Sequence, residues 1–172
     1  MRTLLQQIRV PNGQVPLQRM LLHSLGIAAA GLVTGAAIKL LDIYTTNLGN
    51  IFSRLSVWIL ICSAIAGHSA TPKRAAVNVF LFCAGMLATY YLTAEWTRSP
   101  YSFTFIYGWA AFSLCSPVFA FFTWYARGTG IPAKLLTAGI IVALLIAAAV
   151  LFDGIKASDW IIAILTVAVL RA

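Results

Sequence analysis

Apolar residues fall along this chain in long blocks separated by short polar breaks. The blocks run Leu21–Leu41, Leu55–Gly67, Ala75–Thr93, Phe103–Tyr125, Leu135–Phe152 and Trp160–Leu170. A helix that crosses a bilayer needs about 20 mostly apolar residues. Five blocks read as full spans, the second starting as early as Ile51. The last has 11 residues, which cover about 16 Å of a hydrocarbon core about 30 Å thick. Either that helix enters only partway or the chain stops before its natural end, and the second account is the simpler.

The breaks carry turn and charge signals. They are Ser69–Arg74, Glu95–Pro100, Arg127–Pro132 and Asp153–Ser158. Residues 1–16 are polar and basic and are interrupted by Pro11, Asn12, Gly13 and Pro16. Ala28, Ala29 and Ala30 resemble a signal-peptidase site, but the apolar run continues past them, which predicts a retained span. The pattern therefore predicts an all-α polytopic transmembrane helix bundle of about six helices. Residues 1–16 would form a cytoplasmic basic arm and residues 17–172 a single transmembrane domain. The expected location is the plasma (inner) membrane, multi-pass.

Composition excludes the main alternative. The 172 residues are 61% hydrophobic and 9% charged, and a soluble domain carries about 25% charged residues. The net charge of +8 does not form a nucleic-acid patch, because the Lys and Arg residues sit between apolar blocks. With both termini placed in the cytoplasm, the inner side holds Arg2, Arg9, Arg19, Lys73, Arg74, Arg127, Lys134 and Arg171 and no acid. The outer side holds Lys39, Arg54, Arg98 and Lys156 with all four acids, Asp42, Glu95, Asp153 and Asp159. Eight basic residues against four satisfies the positive-inside rule.

Candidate chemistry concentrates at the outer ends. Trp58, Tyr90, Tyr91, Trp96, Tyr101, Phe103, Phe105, Tyr107 and Trp109 fall there, with Glu95 and Arg98 between them. Some aromatic residues belong to the interfacial belt. Aromatic walls with a few placed polar groups also suit a small-molecule pocket. Asp42, Arg54, Trp58, Tyr90, Tyr91, Glu95, Trp96, Arg98, Tyr101, Tyr107 and Trp109 are the candidate ligand-binding residues. Lys39 lies three residues before Asp42 and can snorkel or pair with it. The segment 45–55 is amphipathic and reads as a lid over that pocket or a connector resting on lipid.

The first helix carries a narrow face of small and polar residues, including Ser24, Ala28, Gly31 and Gly35. Gly31-x-x-x-Gly35 allows close backbone approach, for internal packing or for docking another membrane protein. In the fifth block, Gly139, Ala143 and Ala147 read as a packing ridge. Pro117 removes a backbone donor in the fourth block, and Ser113 or Ser116 can satisfy the group it frees.

Signs of catalysis are absent from the pattern. His23 and His68 stand apart from acids and cysteines, and no nucleophile, zinc or phosphate-loop motif occurs. Cys62, Cys83 and Cys115 lie in separate blocks and read as packing residues. The expectation is no enzyme, no metal and no cofactor.

The overall plan resembles the substrate-binding S components of energy-coupling factor transporters. Six helices, cytoplasmic termini and a small-residue first helix carry the resemblance, although the family's Ala-x-x-x-Ala signature is replaced by Ser24/Ala28 and Gly31/Gly35. The plan is equally like that of other small bacterial multi-pass membrane proteins. The family resemblance implies capture of a vitamin or other micronutrient from outside, a closing loop after helix one, and docking through helix one onto a coupling subunit. The expected partners are the lipid bilayer, other membrane subunits and a small-molecule ligand, without nucleic acid. The alternative is a non-transporting scaffold, immunity or assembly protein acting through helix contacts.

Overall fold

A computed structural model describes residues 8–11, 15–45, 51–52, 54–152 and 154–172. Most of the expected amphipathic segment 45–55, together with Arg2 and Asp153 from the charge count, lies outside these residues. Among the described residues the fold is all-helical. The six helices are α1 (Leu17–Tyr44), α2 (Leu55–His68), α3 (Pro72–Trp96), α4 (Phe103–Ala126), α5 (Gly130–Leu151) and α6 (Ala157–Arg171).

Local chemistry sets several boundaries. Thr71 caps α3 by accepting the Arg74 backbone N–H at 3.2 Å, and Pro72 occupies the first turn, where its missing donor costs nothing. α3 stops in a Schellman motif: Ser99 N–H reaches Ala94 O and Arg98 N–H reaches Glu95 O. Arg98 supplies the left-handed residue this motif requires, at φ 50°. The fifth helix starts at Gly130, before the expected Leu135, because Pro132 sits inside its first turn and leaves no intrahelical bond unmade. α4 continues through Pro117, and Ser116 Oγ donates at 2.8 Å to Ser113 O, the carbonyl that Pro117 leaves without its usual partner.

Odd-numbered helices run one way and even-numbered helices the other. Ser24 meets Asn78 near the starts of α1 and α3, whereas Asp42 meets Tyr90 near their ends. Arg54 joins the start of α2 to the start of α6. One end of the bundle thus gathers Arg9, Gly67, Trp124 and Arg127. The other gathers Asp42, Arg54, Tyr90, Tyr101 and Asp159.

α1 packs mainly on α3. The contact is possible because Gly31 and Gly35 have no side chains: a Cβ at Gly31 would lie 2.4 Å from Phe82 O. One core cluster, including Trp58, Val79, Phe82, Met86 and Trp124, joins α1 to α4; a second, Val57, Leu144, Ile162 and Ala163, joins α2, α5 and α6. α5 does not pack through the expected Gly139, Ala143 and Ala147 ridge. A Cβ on Gly139 would meet open space, and Ala133, Thr137, Leu144 and Ala148 are buried instead.

Large apolar side chains cover much of the outside of the bundle, and several polar groups lie within it. Leu22, Leu25, Val33, Leu114, Val118, Ile146 and Ile164 are exposed, while Lys39, Arg54, Asn78, Ser116, Asp159 and Thr166 are buried. Helices α1, α3, α4 and α5 are long and apolar enough to cross a membrane. α2 has 14 residues and α6 has 15, giving lengths of about 21 and 22 Å, short of the core thickness of about 30 Å. The sequence reading of the second block as a full span is thereby corrected.

Candidate functional site

A cavity of about 810 Å³ opens at the Asp42 end of the bundle. Its position follows from helix lengths. α1 and α3 have 28 and 25 residues and run past the level at which α2 begins. Their ends, together with the start of α4 and the end of α5, enclose the space beyond the N-terminus of α2.

Aromatic residues form the deep wall. Trp58 is 2% exposed and anchors its indole N–H to Phe52 O at 2.9 Å. It stands edge-on to Trp109, with ring centroids 6.1 Å apart, and lies near Phe82 at 6.4 Å. Met86, Phe105 and Phe152 extend the apolar lining. Towards the mouth, Tyr90, Tyr91 and Tyr101 follow one another edge to face at 5.2 and 5.5 Å. Tyr101 donates a hydrogen bond to Glu95. That bond, with partial desolvation and the nearby carboxylate, holds the Tyr101 phenol above the usual tyrosine range.

Two ion pairs sit beside these rings. Lys39 is 3% exposed, and its ammonium lies 3.2 Å from Asp42 Oδ2 and 5.1 Å from the centre of the Tyr90 ring. Tyr90 donates to the same carboxylate oxygen at 3.1 Å. Lys39, Asp42 and Tyr90 thus form a compact polar group among aromatic and aliphatic lining residues. An ionisable group at membrane depth is costly and usually marks function.

The second pair involves Arg54 and Asp159. Arg54 Nε and Nη2 bind the two carboxylate oxygens at 3.0 and 2.5 Å. Arg54 also donates to Phe152 O and Gly154 O, and Ser56 donates to Asp159 Oδ1 at 2.6 Å. Asp159 is fully buried and additionally accepts the Lys156 backbone N–H at the start of α6. Arg54 borders the cavity, but its fork is committed to holding α2 against the α5–α6 connection. Arg54 thus has a structural role at the edge of the cavity.

Of the residues expected to bind a ligand, the structure brings Asp42, Arg54, Trp58, Tyr90, Tyr91, Tyr101 and Trp109 to the cavity. Glu95, Trp96, Arg98 and Tyr107 do not line it. Trp96 is 89% exposed and Tyr107 72% exposed, and both face away from the bundle. Arg98 serves the helix stop described above. Sequence reasoning missed Phe52, Met86, Phe152 and Lys156 as lining residues. Lys39 had a visible signal in its spacing from Asp42; the partnership of Arg54 with Asp159, 105 positions apart, had none.

The face expected to dock a partner is filled from within. Gly31 and Gly35 press on Phe82 and Met86 of α3, and Ala28 O lies 3.3 Å from where a Gly85 Cβ would stand. Ser24 donates to Asn78 Oδ1 at 2.6 Å. Asn78 continues to Ser69, whose carbonyl accepts the Trp124 indole N–H at 2.8 Å. This network ties four helices together, and α3 covers Gly31 and Gly35 of α1, while Ala28 stays partly exposed.

At the Arg9 end, a smaller cavity of about 220 Å³ is bordered by Arg9, Gly67, His68, Ser69, Trp124 and Arg127. Among the described residues no group of three or more His, Cys, Asp or Glu side chains is placed to hold a metal. Comparison of the chain with protein-family models, with curated proteins and with solved structures returned no match.

Proposed function

We propose that this chain is an integral membrane subunit that captures a small amphipathic molecule in the cavity at the Asp42 end and works with partner subunits in transport. One observation carries the reading: a large aromatic cavity has a hydrogen-bonded Lys39–Asp42–Tyr90 group set into its wall, with the Lys39 ammonium buried and the Asp42 carboxylate open to solvent. Aromatic rings would hold a flat or apolar body, and the ion pair would exchange partners with a polar substituent. The charge segregation supports placing the cavity outside the cell, since Arg9 and Arg127 lie at the opposite end. Binding needs no reactive group, so the role is non-catalytic. Partner subunits would meet the outward side of α1, where Gly26 has open space beside it.

The test is a thermal-shift and tryptophan-fluorescence screen of the purified protein in lipid nanodiscs against water-soluble vitamins and aromatic amines. A binding compound should lose its effect in Trp58→Leu and in Asp42→Asn and keep it in Trp96→Ala. Binding that is indifferent to Trp58→Leu and Asp42→Asn, or a panel without any saturable binder, removes the reading.

A further inference from the structure

The Arg9 end holds an arrangement that the capture cavity does not use. Arg9 Nη2 and Arg127 Nη1 donate to the same acceptor, Gly67 O, at 3.0 and 3.1 Å. Arg9 Nη1 also donates to Trp124 O at 2.8 Å, and its guanidinium lies 4.1 Å from the Trp124 ring centre. Gly67 permits this approach, because a Cβ there would lie 3.1 Å from Arg127 Cδ. Thr129 N–H pins the segment from the other side by donating to Ile8 O at 2.9 Å.

Two permanent cations have therefore been brought onto one carbonyl without a carboxylate. The acids among the described residues, Asp42, Glu95 and Asp159, all lie at the opposite end of the bundle. Burial, with the neighbouring charge of Arg127, pushes the Arg9 guanidinium below its usual value. Part of the repulsion is offset. Gly67 and Trp124 stand in the last turns of α2 and α4, and each helix C-terminus offers about half a negative charge. Two such ends leave about one positive charge uncompensated.

The geometry points to a binding site for a singly charged phosphate group in the cavity between Arg9, Arg127, His68 and Ser69. Guanidinium forks match phosphate oxygens, and a phosphate monoanion matches the charge left over. Two sources share that chemistry. One is the headgroup phosphate of an anionic lipid, since the site lies at the ends of apolar helices where headgroups would sit. The other is free inorganic phosphate. The inference is independent of the ligand proposed for the larger cavity.

The test uses the full chain in nanodiscs and reads the thermal midpoint. Discs of phosphatidylcholine are compared with discs containing phosphatidylglycerol, and with phosphatidylcholine discs given inorganic phosphate or chloride at matched ionic strength. If the lipid supplies the group, phosphatidylglycerol raises the midpoint by about 5 °C near saturation, and phosphate adds nothing. A rise with phosphate but not with chloride assigns the free anion. Arg9→Gln with Arg127→Gln should abolish either response. The proposal is overturned if neither source raises the midpoint or if the double variant responds as the wild type does. Should that variant fail to fold, native mass spectrometry of the wild type decides: retention of neither phosphatidylglycerol over phosphatidylcholine nor a phosphate adduct overturns it.

Discussion

Replacing Gly35 by alanine should separate α1 from α3. The added Cβ would stand 2.1 Å from Met86 O and 2.3 Å from Thr89 Oγ1, whereas real Cβ contacts essentially never fall under 3.0 Å. Backbone must therefore yield by about 0.9 Å, since Met86 O cannot rotate away as a flexible side chain could. That retreat also strains the Thr89 Oγ1 bond to Leu32 O, now 2.7 Å long, and takes it past hydrogen-bonding range. Overpacking costs about 1–3 kcal/mol, and an interhelical hydrogen bond in a membrane protein contributes about 0.6–1.7 kcal/mol. The expected loss is roughly 2–4 kcal/mol. Tryptophan fluorescence followed through unfolding in mixed detergent micelles measures it. Gly26→Ala, on the same helix with open space around it, provides the comparison. It should be neutral or stabilising by up to about 1 kcal/mol, because alanine favours the helix. The close-packing argument is refuted if Gly35→Ala is as stable as Gly26→Ala.

Asp159→Asn should destabilise by about 3–5 kcal/mol, since it leaves the Arg54 charge buried without its counterion. Arg54→Met combined with Asp159→Leu should recover most of that loss, and a single-variant cost under about 1 kcal/mol in the same titration would show the pair to be solvated. Arg98→Gly should stabilise by about 1 kcal/mol, because glycine occupies the left-handed position without the Cβ penalty. A loss of helix content by circular dichroism in that variant would contradict the Schellman assignment.

Much of the architecture was legible in the sequence. The period and length of the apolar blocks located six helices, because each block must satisfy its own backbone hydrogen bonds and present apolar atoms outward. The segregation of Arg9 and Arg127 from Asp42, Glu95 and Asp159 followed from counting charges along alternating helices. Ser116 beside Pro117 also disclosed its role, since the freed carbonyl belongs to a residue one turn away. Helix ends were less legible. Pro132 reads as a breaker, yet it sits in a first turn where a proline is free.

Pairings across the bundle were decided only by tertiary structure. Gly31 and Gly35 form a close-packing face whether the neighbour is α3 or another protein, and periodicity along one helix does not name the partner. Arg54 and Asp159 look like two outer-end charges until the short α2 and α6 bring their N-termini together at depth. Trp58 and Trp96 are alike as sequence signals, both aromatic and both at an outer helix end. One is the deep wall of a cavity and the other faces outward, because side-chain direction depends on how each helix is rotated against its neighbours. Sequence alone determined that this chain makes apolar helices with charged ends. The rotation and depth of those helices, set by glycine contacts and a buried ion pair, decided which of its polar and aromatic groups face one another.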